Sequence, residues 1–197
     1  CPGEQAGGLA KVARELHESS ETFVVHYRKK YQEPFLPPIW AVVETMSLGA
    51  LSRWFANSKD NAVKKEVSRG LNLPTIEILE SVLHALTPLR NICAHHARLW
   101  NRSFPLSLPH IKRMGARLVP PNAPSKQAHL LFNFLVVLDA LMAAINPKSS
   151  WSRRLLALIE TLSERQRHAM GFPDDWRNRA PWDAFAIQPL SPEITHP

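Results

Sequence analysis

Cysteine is nearly missing from this chain: Cys1 and Cys93 are the only two in 197 residues. That excludes a disulfide framework and fits a reducing compartment, so a cytoplasmic location is expected. No glycine-rich phosphate loop, no Ser-His-Asp arrangement and no pair of acids at a useful spacing occurs, which removes the usual marks of nucleotide-binding folds and of triad or two-carboxylate hydrolases. His-x3-His and Cys-x2-Cys spacings are also lacking. The adjacent His95 and His96 would point about 100° apart on a helix, a poor arrangement for one metal ion. No metal and no cofactor is therefore expected. Nor is there a long apolar run. The most apolar stretch, Leu130 to Ile145, is interrupted by Asn133 and Asp139. It is also shorter than the roughly 18 residues a membrane span needs, so it reads as a buried helix. The N-terminus has no basic stretch followed by an apolar one, so neither a signal peptide nor a membrane partner is expected.

What is present suits a globular chain. It is 45% hydrophobic and 21% charged, enough apolar surface for a real core. Its 24 Lys and Arg against 17 Asp and Glu leave a net charge of +7 and a pI near 9.8. Such a balance favours a polyanionic partner, although many basic proteins bind no nucleic acid. Apolar residues recur with helical period almost throughout, which makes the chain all-α.

Residues 1–19 read as a frayed end with a partial helix, Leu9 to His17. Ser20 can cap a helix bearing Phe23, Val24, Tyr27 and Tyr31 on one face, and Pro37-Pro38 opens the next, expected to run to about Phe55. A basic helix from Asn61 to Arg69 ends at Gly70. An apolar one follows with Ile76, Leu79, Val82, Leu83 and Leu86. Residues 103–124 hold five prolines and read mainly as a loop, with a short helix around 109–117. Ser125 to Asn146 and Ser150 to Met170 are expected as two long helices. Residues 171–197, rich in Pro and Trp, are expected as an extended C-terminal tail over the bundle, with Trp151, Trp176 and Trp182 as packing anchors.

Residues 87–102 carry the chemistry: TPLRNICAHHARLWNR. Thr87 and Pro88 predict the start of a new or kinked helix. Continued at 100° per residue, it gathers Leu89, Ile92, Cys93, His96, Leu99 and Trp100 on one face. Asn91, His95, Arg98 and Arg102 share the opposite face, with Arg90 on its flank. No acid occurs in these residues. A stripe of Asn, His and Arg without an internal countercharge must meet a carboxylate from elsewhere or a phosphate. Imidazole, with an unperturbed pKa of about 6.5, can take a proton from an RNA 2′-hydroxyl. Guanidinium can grip two phosphate oxygens as charge builds on them, and Asn can orient either partner. Arg90 and His95 lie about 140° apart around one helix, so two copies across a two-fold axis would meet one phosphate more cleanly than one copy.

Arg90-Asn91-x-x-Ala94-His95 resembles the Arg-x4–6-His signature of the HEPN superfamily. The longer string RNICAHHARLWNR resembles the hallmark of the Abi-like (abortive-infection) family. So do ETFVVHYRKKYQEPFLPPIWAVVETMSLGALSRWF at 21–55, the Leu83–Leu89 lead-in and the Trp151 helix, which together take the resemblance from residue 20 to about 160. It implies a HEPN-like helical bundle over 20–170. The implied activity is metal-independent endoribonuclease action as a homodimer, in phage defence or as a toxin restrained by an RNA or protein antitoxin. Arg90, Asn91 and His95 match the catalytic positions.

Supporting roles fall to residues nearby in sequence or pattern. Glu44 stands in an otherwise apolar helix, where an unpaired buried carboxylate would be costly; it is expected to pair with Arg90 or Arg98, with Ser47 sharing the network. His96 reads more readily as a satisfied core histidine than as a catalytic one, and Cys93 as a small core residue. Arg53, Lys59, Lys64, Lys65 and Arg69 are candidates for an RNA-approach surface, for which a solvated helix face is the simpler account. Two rivals stand beside the nuclease. One is a bundle that binds RNA without cutting it; the other is an interaction module that senses a phage component through its Pro/Trp-rich tail.

Overall fold

The computed structural model describes residues 10, 13–14, 16–31, 33–34 and 36–185. Among them every regular element is helical, so the fold is all-α as the periodicity predicts. Among the described residues, no helix is long and apolar enough to cross a membrane. Two compact units divide the chain, residues 1–64 and 65–197. The division falls inside a helix, away from the expected limits at 19/20 and 170/171.

The first unit holds α1 (Thr22–Lys30), α2 (Ile39–Thr45) and α3 (Leu48–Asn57), preceded by helical residues at 13–14 and 16–18. Leu16, Val24, Val42, Met46 and Ala50 make its core, with Leu36, Val43 and Trp54 packed against them. Polar ties close it. The Arg28 guanidinium donates to the carbonyls of His17 and Ser19, at 2.6 and 2.7 Å, stopping the leading helix. The Tyr27 hydroxyl donates to the Pro34 carbonyl at 2.9 Å. The single helix expected from Pro38 to Phe55 is broken at Met46-Ser47, both extended. Ser47 accepts a bond from the Ala50 amide, and Thr45 donates to the Val42 carbonyl. Side chains that bond their own backbone compete with the helix, and here they win.

α4 (Asn61–Gly70) is capped by Asp60, whose Oδ1 accepts from the Ala62 and Val63 amides at 3.0 Å. Its end is not set by Gly70 as expected. Asn72 takes the left-handed conformation at φ 54°. The Leu73 amide then donates back to Ser68 and that of Asn72 to Arg69, both at 2.9 Å, the paired bonds of a Schellman turn.

The second unit is built on α5 (Ile76–Ala94), α6 (Leu131–Ile145), α7 (Trp151–Glu160) and α8 (Glu164–Ala169). In α6, Leu131, Phe132, Phe134, Val136 and Val137 are buried, and with them Asn133 and Asp139. Asn133 is paired at both ends of its amide. Its amide exchanges two bonds with the Val119 backbone, at 2.8 and 2.9 Å, pinning the proline-rich 103–124 segment to the helix. That segment is irregular but anchored by buried Phe104, Leu108, Ile111, Met114 and Leu118, with Phe104 against Phe134. The two long helices expected here are shorter. Residues 124–129 form a 3-10 stretch ahead of α6. Ser163 divides α7 from α8 through a capping box with Gln166, a Ser-x-x-Gln signal legible in the sequence.

The Trp-rich segment is not an extended tail. Phe132, Phe172, Trp176 and Trp182 form a chain of edge-to-face ring contacts at 5.0, 5.5 and 6.1 Å, and Trp182 is 2% exposed. Gly171, at φ 85°, makes the turn into it. A Cβ there would stand 2.7 Å from that of Leu130. These tryptophans act as core, as anchors should. Residues 186–197 of the expected tail lie outside the described residues.

Asp139 accepts a hydrogen bond from the Ser152 hydroxyl of α7. Burial holds its carboxyl above the ordinary carboxylate range, against smaller opposite pulls from Ser152 and Arg117. The folded chain thus keeps this proton to higher pH than the unfolded one. Its contribution is present below the ordinary carboxylate value and is lost as pH rises through the raised one. Urea unfolding across pH should therefore show wild type losing stability relative to Asp139→Asn as pH climbs from that ordinary value. Parallel curves for the two proteins would contradict this.

Candidate active site

α5 begins at Thr75, whose side chain accepts from the Ile78 amide, and not at Thr87. Pro88 lies inside it. A mid-helix proline costs about 3 kcal/mol. Leu79, Val82, Leu86 and Leu89 form one buried stripe running past it, and each buried leucine is worth roughly 1.5–3 kcal/mol, so the helix continues. Thr87 turns its hydroxyl onto the Leu83 carbonyl at 2.9 Å instead of capping a new helix.

Beyond Leu89 the burial fades. Ile92 is half-buried, and every residue from Cys93 to Arg98 is exposed. A helix held mainly by its packed face has nothing to prolong it there. It ends at Ala94, eight residues short of the expected Arg102. The ending is a second Schellman turn: the Ala97 amide donates to Ile92 and that of His96 to Cys93, both at 3.0 Å. His96 carries the left-handed turn at φ 51°, a conformation strained for most side chains.

Four expectations change as a result. His96 and Cys93, placed in the core by the helical wheel, are both exposed. Arg98 and Arg102 leave the face they were to share with Asn91 and His95. The Arg102 guanidinium instead donates to the Arg98 carbonyl at 3.4 Å, and Arg98 sits over the Trp100 ring at 5.8 Å. Arg90 and Asn91 stay on the last turns of α5 and His95 at its end, all exposed. Arg90 Nη1 donates to Asn91 Oδ1 at 3.4 Å. His95 is the residue that closes the helix.

The supporting residues fare differently. Glu44, in the first unit, is exposed, so burial forces no ion pair upon it. Ser47 is the cap of α3 and not part of a carboxylate network. Among the basic residues, Lys64 is buried at 6% exposure; it donates to the Ala56 carbonyl at 3.0 Å and lies over Phe55. Arg53, Lys59, Lys65 and Arg69 are exposed. Lys65 and Arg69 line a cleft of about 320 Å³ beside Pro74 and Thr75. They stand at the opposite end of α5 from His95, roughly 30 Å away along its axis. Among the described residues, no three His, Cys, Asp or Glu side chains are grouped as a metal site.

The family model of Abi-like proteins matches residues 4–101. Over this first half, the chain belongs to the Abi-like family. The matched span takes in Arg90, Asn91, His95 and Trp100 and stops one residue before Arg102; the Trp151 helix lies beyond it. Membership of this abortive-infection family points to phage defence. Comparison with curated proteins and with solved structures gave no match.

The strained turn gives a test within this Abi-like chain. Glycine relieves a left-handed position worth about 1–2 kcal/mol but costs about 0.5–1 kcal/mol of chain entropy. His96→Gly is thus expected to raise stability by roughly 0.5–1 kcal/mol in chemical denaturation. A clear loss of stability would show that the His96 side chain holds the turn by contacts of its own.

Proposed function

We propose that this Abi-like chain is a HEPN-type, metal-independent endoribonuclease of an abortive-infection system, with its cleaving centre at the end of α5. One observation carries the reading: Arg90, Asn91 and His95 stand exposed on the closing turns of a helix, in a stretch with no acidic residue to neutralise them. A phosphodiester supplies the missing negative charge. His95 takes the 2′-hydroxyl proton and the oxygen attacks the adjacent phosphorus. Arg90 holds the equatorial oxygens as their charge grows, and Asn91 holds Arg90 through the bond between them. The bond to the 5′-oxygen breaks, that oxygen receives a proton, and the products are a 2′,3′-cyclic phosphate and a 5′-hydroxyl. One imidazole cannot give and take a proton at the same instant. A second copy across a two-fold axis supplies the other, so the working form is a homodimer. An activity that cuts cellular RNA needs restraint, and an RNA or protein antitoxin is its natural partner.

Labelled RNA incubated with the purified chain in excess EDTA tests this. Cleavage should persist and leave cyclic phosphate ends. Arg90→Ala and His95→Ala should each lower the rate by about 10²–10⁴-fold with unchanged circular dichroism. Intact RNA after long incubation would leave a binding module in place of the nuclease. Full activity in either variant would remove that residue from the mechanism.

A further inference from the structure

Trp100 is the residue that the nuclease reading leaves unexplained. A helical wheel buries it, yet it is 37% exposed. It stands at the tip of a turn in which Asn101 adopts the left-handed conformation at φ 51°. The Arg102 guanidinium fastens that turn by donating to the Arg98 carbonyl, and the Arg98 guanidinium lies against the indole. The Schellman turn at His96 joins it directly to the helix end that bears Arg90 and His95. The result is an exposed flat ring among arginines, four and five residues past the two histidines, with no acid between Thr87 and Arg102.

Resting on the nuclease reading and narrowing its substrate, we infer that Trp100 and Arg98 form a stacking platform for one unpaired nucleobase of single-stranded RNA. Indole and guanidinium both stack on the faces of bases, and the flanking Arg102 can meet the adjoining phosphate. A base in a duplex has both faces covered by its neighbours, so only a splayed base reaches the ring. An acidic peptide would satisfy the arginines but has no flat group for the indole. Trp100 is therefore a binding residue that selects single strands, distinct from the groups that move protons.

The test uses the full chain and a fluorescent 2′-O-methyl RNA oligonucleotide, which binds but cannot be cut by its own 2′-oxygen. Trp100→Ala should weaken binding of the single strand on the order of tenfold or more, and Trp100→Phe should restore most of it. A duplex of equal length should bind equally to wild type and Trp100→Ala. Unchanged single-strand affinity in Trp100→Ala overturns the inference. So does an equal loss for the duplex, or displacement of the RNA by polyglutamate at matched charge. Should Trp100→Ala fail to fold, wild type decides: 2-aminopurine walked along the strand should be quenched at one position, and no quenching anywhere overturns the platform. Binding does not require cleavage, so the two readings separate. Trp100-dependent binding of RNA that is never cut sinks the nuclease alone, and cleavage with a KM indifferent to Trp100 sinks the platform alone.

Discussion

Where α5 stops sets the arrangement of the second unit's candidate site. The backbone bonds from Ala97 to Ile92 and from His96 to Cys93 close α5 at Ala94. They satisfy carbonyls that would otherwise be orphaned at its end. They also decide which side chains stay on the helix and which leave it. Arg90, Asn91 and His95 keep helical spacing, while Arg98, Trp100 and Arg102 move onto a separate turn. Had the helix run on, Trp100 would have faced inward with Leu89, and the arginines would have formed one long stripe. The closure converts a stripe into two adjacent groups: Arg90, Asn91 and His95, to which we assign proton transfer and phosphate binding, and Arg98, Trp100 and Arg102, to which we assign the base.

The stopping point follows from burial and not from local preference. Leu79, Val82, Leu86 and Leu89 stabilise α5 strongly enough to carry it through Pro88. Past Leu89 that support fades, and the backbone turn at His96 takes over. Asn133 ties the proline-rich segment to α6, and the rings from Phe132 to Trp182 fill the space that the sequence assigns to a tail.

Much of this was legible in the residues. The helical period, α4, the opening of α2 at Pro38 and the buried character of α6 follow from local pattern and hold in the structure. The Abi-like character of the first half was carried by the RNICAHHARLWNR and PPIW strings, and the family match bears it out. What local pattern could not give was the effect of remote packing. A wheel drawn over 87–102 treats every residue as helical, so it buried Cys93, His96 and Trp100 once the helix was assumed to continue. Glu44 was misplaced similarly: apolar neighbours in sequence suggested burial, but its own position on α2 faces water. The breaks at Ser47 and Ser163 are a different matter, since short polar caps mark both, and at Ser163 the partner Gln166 stands three residues on.

The claim at the centre is that a guanidinium and an imidazole on the closing turns of α5 cut RNA by using the RNA's own 2′-oxygen. The most direct measurement replaces that one oxygen. An RNA cleaved at a mapped position is remade with a single 2′-deoxy sugar on the 5′ side of the scissile phosphate, and both are incubated with the chain in EDTA. The account predicts normal binding, complete loss of cutting at that position and unaltered cutting elsewhere. Cleavage of the deoxy-substituted bond at an undiminished rate would contradict it.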